Sequence, residues 1–241
     1  MAAEDVAGLI GVKETTVWRW CREGTLPCLK VGRRWRIRRE VFEDFLRRSE
    51  QPVTLVGELD SFLRVPDSVL AIAQNLSILR RLDSAFFGVG ESRGGLLVKF
   101  FGGEEDTEEG MLASFEEHGL AAGRLKQEGR LLLRPEEEPV GGSRGEALVR
   151  LVEEQGGEGR TVWASFDWAE PVDLETTLRQ QAQLTELVDV RHLVVKTAAV
   201  EGAMGAWTPS QLRRAQSVHS ATILASEEGL SFTRARQMPS S

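Results

Sequence analysis

Apolar positions recur along this chain in two rhythms, and the change from one to the other divides it. Near the start, Val6, Ala7 and Ile10 follow the three-to-four spacing of a helix face, and Gly11-Val12 then interrupts it as a tight turn between helices does. The pattern resumes from Lys13 to Arg22, where Val17 and Trp20 face inward while Thr15, Thr16, Arg19 and Arg22 share the outward side. Gly24 suits the position just beyond a helix end, and Pro27 keeps the helix from resuming. Two short strand-like runs, 28–31 and 35–38, flank Gly32-Arg33-Arg34 and read as a hairpin. A third amphipathic stripe of Val41, Phe42, Phe45 and Leu46 can cover the first two helices, and Gln51-Pro52 ends it.

A long helical pattern is expected to start at Pro66-Asp67-Ser68. Within it Val69, Ile72, Leu76 and Leu79 form either the seam of a short dimerising coiled coil or the buried stripe of a helix packed on its own domain. Further on, strand-like runs at 96–101, 130–134, 161–166, 193–197, 222–225 and 230–233 alternate with helical stretches. Two of those stretches open with capping boxes, Ser143-x-x-Glu146 and Thr208-Pro209-Ser210-Gln211. Such alternation predicts an α/β fold, a mostly parallel sheet with flanking helices that ends in an antiparallel edge. Gly90 and Gly95 have the spacing of a phosphate-binding loop, but Leu96 and Leu97 stand where Lys and Ser/Thr would hold phosphate and magnesium. A turn joining a strand at 85–89 to one at 96–101 accounts for these glycines. The expected organisation is a DNA-binding domain at 1–50, a linker and connecting helix at 51–84, an α/β body at 85–235 and a tail at 236–241.

Charge sharpens this division. The formal net charge is −7, yet residues 1–50 carry eleven Lys/Arg against eight Asp/Glu, or +3, which leaves 19 against 29, or −10, for the remainder. Nucleic-acid contact therefore belongs to the first fifty residues. From Lys30 to Arg39 there are six cations and no acid, and a positive hairpin tip suits a phosphate backbone because neutralised phosphates release condensed counterions. Thr15, Thr16, Arg19 and Arg22 are the candidates for base edges, Arg19 for a bidentate guanine contact. Lys30, Arg33, Arg34 and Arg36 are the candidates for backbone or minor-groove contact. Trp18, Trp20 and Trp35 read as core aromatics. Cys21 and Cys28 invite a redox-switch reading, but two cysteines make neither a disulfide framework nor a four-ligand zinc set, and nothing nearby visibly lowers either thiol's pKa. His118, His192 and His219 are scattered. No metal, cofactor or catalytic group is expected. No apolar run approaches the ~20 residues that span a bilayer, no signal peptide opens the chain, and a reducing cytoplasm without a membrane partner is the expected setting.

The stretch DVAGLIGVKETTVWRWCREGTLPCLKVGRRWRIRREVFEDFL resembles the winged helix-turn-helix of the excisionase and MerR-like DNA-binding domains. The resemblance implies that the second helix enters the major groove and the wing grips adjacent backbone. Lys13 departs from it by standing where a Ser or Thr cap is usual, and the chain enters its first helix without the usual extended lead.

Farther along, MLASFEEHGLAAGRLKQEGRLLLRP, GRTVWASFDWAEPVDLETTLRQQAQLTEL, RHLVVKTAAV and WTPSQLRRAQSVHSATILASEEG run in the order of the MEDS sensory domain of methanogen and methylotroph regulators. That domain is similar to the sensory half of the dichloromethane dehalogenase repressor, and the resemblance, over about 85–233, implies a RecA/KaiC-like fold. The tyrosine common in that family's strand after the long helix is absent; Lys196 and Thr197 occupy the region, and the chain has no tyrosine. Ligands in open α/β sheets gather beyond the carboxyl ends of strands, so Trp163, Asp167, Trp168 and Glu170, with His219, are the candidate ligand-binding residues. Their competing readings are a solvated acid, core tryptophans and a satisfied helix-end histidine. Together these features describe a cytoplasmic, non-enzymatic transcriptional regulator: a homodimer on double-stranded DNA that answers to a small-molecule or nucleotide-like effector. Its rivals are an architectural excisionase-type protein whose body only oligomerises, and a RecA-like ATPase.

Overall fold

The computed structural model describes residues 1–32, 34–49, 54–102, 107–135, 144–154, 159–168, 174–191, 193–205 and 207–235. The chain forms two compact units, Met1–Thr54 and Leu55–Ser241.

In the first unit, α1 (Ala3–Ile10) ends on Gly11, whose φ of 70° is the left-handed conformation that glycine adopts without a Cβ penalty. α2 (Glu14–Glu23) closes on Gly24 in the same way, at φ 78°. β1 (Leu29–Val31) and β2 (Arg34–Arg36) pair antiparallel with Lys30 opposite Trp35, and α3 (Arg39–Ser49) follows. The first residues, expected to enter α1 directly, instead add to the hairpin. Ala2 bridges Arg36, the Met1 ammonium donates to the Ile37 carbonyl at 2.7 Å, and the Ile37 N–H donates back to Met1 at 3.0 Å. Val6, Ala7, Val17, Leu26, Ile37 and Phe42 close the core, and Trp20 lies against Phe45 at 5.4 Å between ring centroids. Trp18 corrects the expectation of a core aromatic, since it is 43% exposed.

The second unit begins with α4 (Leu55–Phe62), β3 (Asp67–Ala73) and α5 (Leu76–Ser92). Then come β4 (Leu96–Phe101), α6 (Glu108–Glu117), α7 (Ala122–Gln127), β5 (Leu131–Pro135), α8 (Arg144–Glu154) and β6 (Val162–Trp168). The chain continues through α9 (Leu174–Arg191), β7 (Leu193–Val200), α10 (Pro209–Ser217), β8 (Ala221–Ser226) and β9 (Gly229–Arg234). The seven strands lie in the order β5-β4-β6-β7-β3-β8-β9, and every neighbouring pair is parallel except the closing β8–β9 pair. Helices α4 to α7 pack on the face that carries Val69, Leu97, Trp163 and Val194. The opposite face packs against α8 and α9 through Val98, Ala164 and Val195, and against α10 through Leu70 and Ile72. At the amino end of β3, buried Asp67 accepts from Arg234 Nη2 at 2.7 Å and Ser220 Oγ at 2.5 Å, tying the last two strands to the central one.

Residues 67–73, expected to open a long helix, form the central strand β3, buried at all seven positions. A parallel strand covered on both faces is apolar throughout, so its period of two does not appear in the sequence. Val69 and Ile72 therefore face opposite sides of the sheet. Leu76 and Leu79 belong to α5, which starts at once because the Asn75 side chain accepts the Ile78 N–H at 3.0 Å. The four residues form no common helical seam. Residues 55–84, expected within a linker and connecting helix, are part of the body.

The run 85–89, expected as a strand, lies inside α5. Gly90 and Gly95 flank fully buried Trp163: a Cβ on Gly90 would lie 2.6 Å from Leu97 Cδ2 and 2.8 Å from the indole, and one on Gly95 would overlap the same ring. These glycines let helix and strand close on a tryptophan. The second capping box is present, with the Thr208 hydroxyl accepting the Gln211 N–H at 3.3 Å; Ser143 of the first lies outside the described residues.

Candidate nucleic-acid interface and a buried charge cluster

The inward side of α2 is fixed by Val17 and Cys21, which leaves Thr15, Arg19 and Arg22 exposed together on the other side, with Thr16 half-buried beside them. Trp18 joins this outward face, although its place in the sequence reads as core. No side chain caps α2: Lys13 offers only its carbonyl, which accepts the Thr16 N–H at 2.9 Å. In the hairpin, Lys30 and Arg36 are exposed, and the Lys30 ammonium lies 5.8 Å from the centroid of Trp35. Arg33 and the side chain of Arg34 lie outside the described residues. Cys21 and Cys28, the pair that invites a redox-switch reading in the sequence, are joined in a disulfide with their Cα atoms 5.3 Å apart.

The body holds charged groups where the sequence pattern indicated core. Lys99 on β4 is directly opposite Ser165 on β6, and Ser165 is directly opposite Lys196 on β7, so the three form a row across neighbouring strands. All three are fully buried. Over this row α5 places Asp83, 2% exposed. Asp83 accepts from Lys99 Nζ at 2.6 Å and from Ser165 Oγ at 2.9 Å, and pairs with Lys196. Asp167, two residues beyond Ser165, also pairs with Lys99 and has Lys196 Nζ 3.8 Å from its Oδ1. Two ammonium groups thus face two carboxylates.

A buried charge persists only when its partners replace lost water. Burial pushes the Asp83 carboxyl upward, but Lys196 and Lys99 outweigh that and hold it well below the usual carboxylate range. Burial lowers Lys99, yet Asp167 and Asp83 bring it above its ordinary value. Asp167 is raised, first by burial and then by the charge of Asp83, against the pull of both lysines. The sequence signal for this cluster was a lysine inside each of two apolar strands, LLVKFF and LVVKTAAV. A lysine at such a position requires an acid nearby.

Of the five ligand candidates, Asp167 is the one described side chain at a strand's carboxyl end. It sits where β4 leads outward through α6 and α7 on one face while adjacent β6 leads back through α9 on the other, the kind of crevice in which α/β sheets hold ligands. Trp163 lies near the amino end of β6, in the core against Phe86 at 5.3 Å. His219 precedes β8 at the same end; it is 3% exposed, its Nδ1–H donates to the Ala215 carbonyl at 2.9 Å, and burial lowers its pKa to about 4. These three are not brought together. Trp168 ends β6 but its side chain, like Glu170, lies outside the described residues. A separate apolar cleft of about 330 Å³, at the ends of β3 and β8, is lined by Ile72, Met204, Trp207, Leu212 and Leu224, with Glu201 beside them. Among the described residues no cluster could hold a metal ion, and no helix is long and apolar enough to cross a membrane.

A family model described as a helix-turn-helix domain matches residues 2–50. No curated relative matches the chain. Among solved structures, the KaiC-like protein PH0186 of the hyperthermophilic archaeon Pyrococcus horikoshii OT3 is similar with a TM-score of 0.51 and 9% identity, over 74% of this chain and 83% of that one. A second solved structure, described as an ATPase domain, is similar with a TM-score of 0.51 and 10% identity, over 77% of this chain and 80% of that one. At such identities the likeness is one of fold. The expectation of a non-enzymatic body is corrected by it, because this architecture is shared with an ATPase domain. The first unit is thus similar to helix-turn-helix domains, and the body has a RecA/KaiC-like α/β fold.

Proposed function

We propose that this chain is a cytoplasmic DNA-binding transcriptional regulator, a winged helix-turn-helix of the excisionase and MerR-like kind joined to a MEDS-like α/β body that senses an effector and dimerises. The observation that carries the reading is the outward face of α2, where Thr15, Arg19 and Arg22 stand exposed in the unit that also carries the acid-free hairpin. In this reading Arg19 contacts a guanine edge, Thr15, Thr16 and Arg22 serve neighbouring bases and phosphates, and Lys30, Arg33, Arg34 and Arg36 hold the backbone. Pairing two such modules raises avidity without new contacts. With the expected helical seam dispersed through β3 and α5, the exposed outer edge at β9 is the candidate contact. The cleft beside Trp207 and the strand-end crevice at Asp167 are the two candidate effector sites.

Selection from a random duplex library, followed by fluorescence anisotropy on the selected site, tests the reading. Arg19→Ala should weaken the selected site by ~1–3 kcal/mol relative to random duplex, and Lys30→Ala with Arg36→Ala should weaken all duplexes and flatten the salt dependence. Undiminished binding by a chain lacking residues 1–54 would sink the proposal.

The likeness of the body to an ATPase domain favours a second reading, in which the body turns over nucleotide. It predicts magnesium-dependent ATP hydrolysis by the purified chain that is lost in Asp167→Asn.

A further inference from the structure

The Cys21–Cys28 disulfide joins two parts of the first unit that the DNA reading requires to act together. Cys21 lies in the last turn of α2, on its buried side and 7% exposed. Cys28 is half-buried and immediately precedes β1. The ring they close contains Gly24, which ends α2, and Leu26, whose N–H donates to the Trp20 carbonyl at 3.2 Å and whose side chain is fully buried. The helix that presents Arg19 is therefore covalently fastened to the strand that presents Lys30, and these are the chain's two cysteines.

A protein that reads DNA works where thiols are ordinarily kept reduced, and a disulfide in such a setting is a transient, sensing bond rather than a permanent staple. We propose that Cys21 and Cys28 form a redox switch of DNA affinity, in which the oxidised form holds the wing in register with α2 and reduction releases it. The inference rests on the DNA-reading function proposed above. Reduction leaves Val6, Val17, Leu26, Ile37 and Phe42 packed, so the domain persists while the wing loses its covalent anchor and must be ordered on binding at an entropic cost.

The oxidant is a low-molecular-weight disulfide of the glutathione class. The thiolate of the more accessible Cys28 attacks one of its sulfurs, forming a mixed disulfide and releasing one glutathione thiolate. The Cys21 thiolate then attacks Cys28 Sγ and releases the second. One glutathione disulfide is reduced to two glutathiones, which take up the two protons the cysteines lose.

The test uses the full chain equilibrated in glutathione buffers from fully oxidised to fully reduced, with thiols counted by alkylation and mass spectrometry and affinity measured by anisotropy on the selected duplex. Affinity should fall on the order of tenfold as the disulfide opens, with a midpoint that tracks the thiol count. Cys28→Ser, at the less buried position, should bind at the reduced level in every buffer; Cys21→Ser should match it where it folds. Equal affinity in both states overturns the switch alone, as does tighter binding by the reduced form, or a redox dependence that survives in Cys28→Ser. Absence of DNA binding in both states refutes the DNA reading and the switch with it.

Discussion

Replacing Lys196 by methionine removes one of the two ammonium groups that face Asp83 and Asp167 in the body, with little change in side-chain volume. Lys196 is fully buried and Asp83 is 2% exposed, so no solvent enters to repay the lost attraction. Breaking a buried ion pair from one side costs about 3–5 kcal/mol because the partner is left uncompensated, a large share of the ~5–15 kcal/mol that stabilises a typical domain. With a urea slope of ~2 kcal/mol/M, the unfolding midpoint should fall by roughly 1.5–2.5 M. The decisive comparison is the double variant Lys196→Met with Asp83→Leu, which removes one base and one acid and leaves Lys99 paired with Asp167. Its cost should be less than the sum of the two single costs by at least ~2 kcal/mol. Circular dichroism during urea unfolding measures the totals, and amide exchange in β4, β6 and β7 shows that the loss lies in the body. Additive costs, or a Lys196→Met variant within ~0.5 kcal/mol of the parent, would refute the view that these charges are a mutually dependent cluster.

Two further outcomes follow from buried groups. His219 has a folded pKa lowered from 6.5 to about 4. Its contribution is therefore full above pH 6.5 and lost as pH falls toward 4, at most ~3 kcal/mol; His219→Asn should flatten urea midpoints across that window relative to the parent. Asp83, lowered from 3.8, loses its contribution only below that value, so the two acid effects separate by pH. Gly95→Ala places a methyl against the Trp163 indole and should cost ~1–3 kcal/mol by overpacking, seen as a lower melting temperature together with an altered near-ultraviolet tryptophan signal.

Local pattern alone specified much of the first unit. Gly11 and Gly24 mark two left-handed helix ends, the stripe of Val17 and Trp20 orients α2, and the excess of arginine marks the hairpin, because each signal lies within a few residues of the structure it dictates. The alternation of strands and helices likewise specified the class of the body and its antiparallel last pair. What tertiary structure decided involved residues far apart in the chain. Whether Val69 to Leu79 was helix or strand depended on covering helices at both faces of β3, since a doubly buried strand has no polar side to reveal its period. Gly90 and Gly95 took their meaning from Trp163, some seventy residues away. Lys99, Ser165 and Lys196 became a row only through strand register, and Asp83 met them because α5 lies over that face. A buried charge is tolerated according to what surrounds it in space, and neither composition nor spacing along the chain records those neighbours.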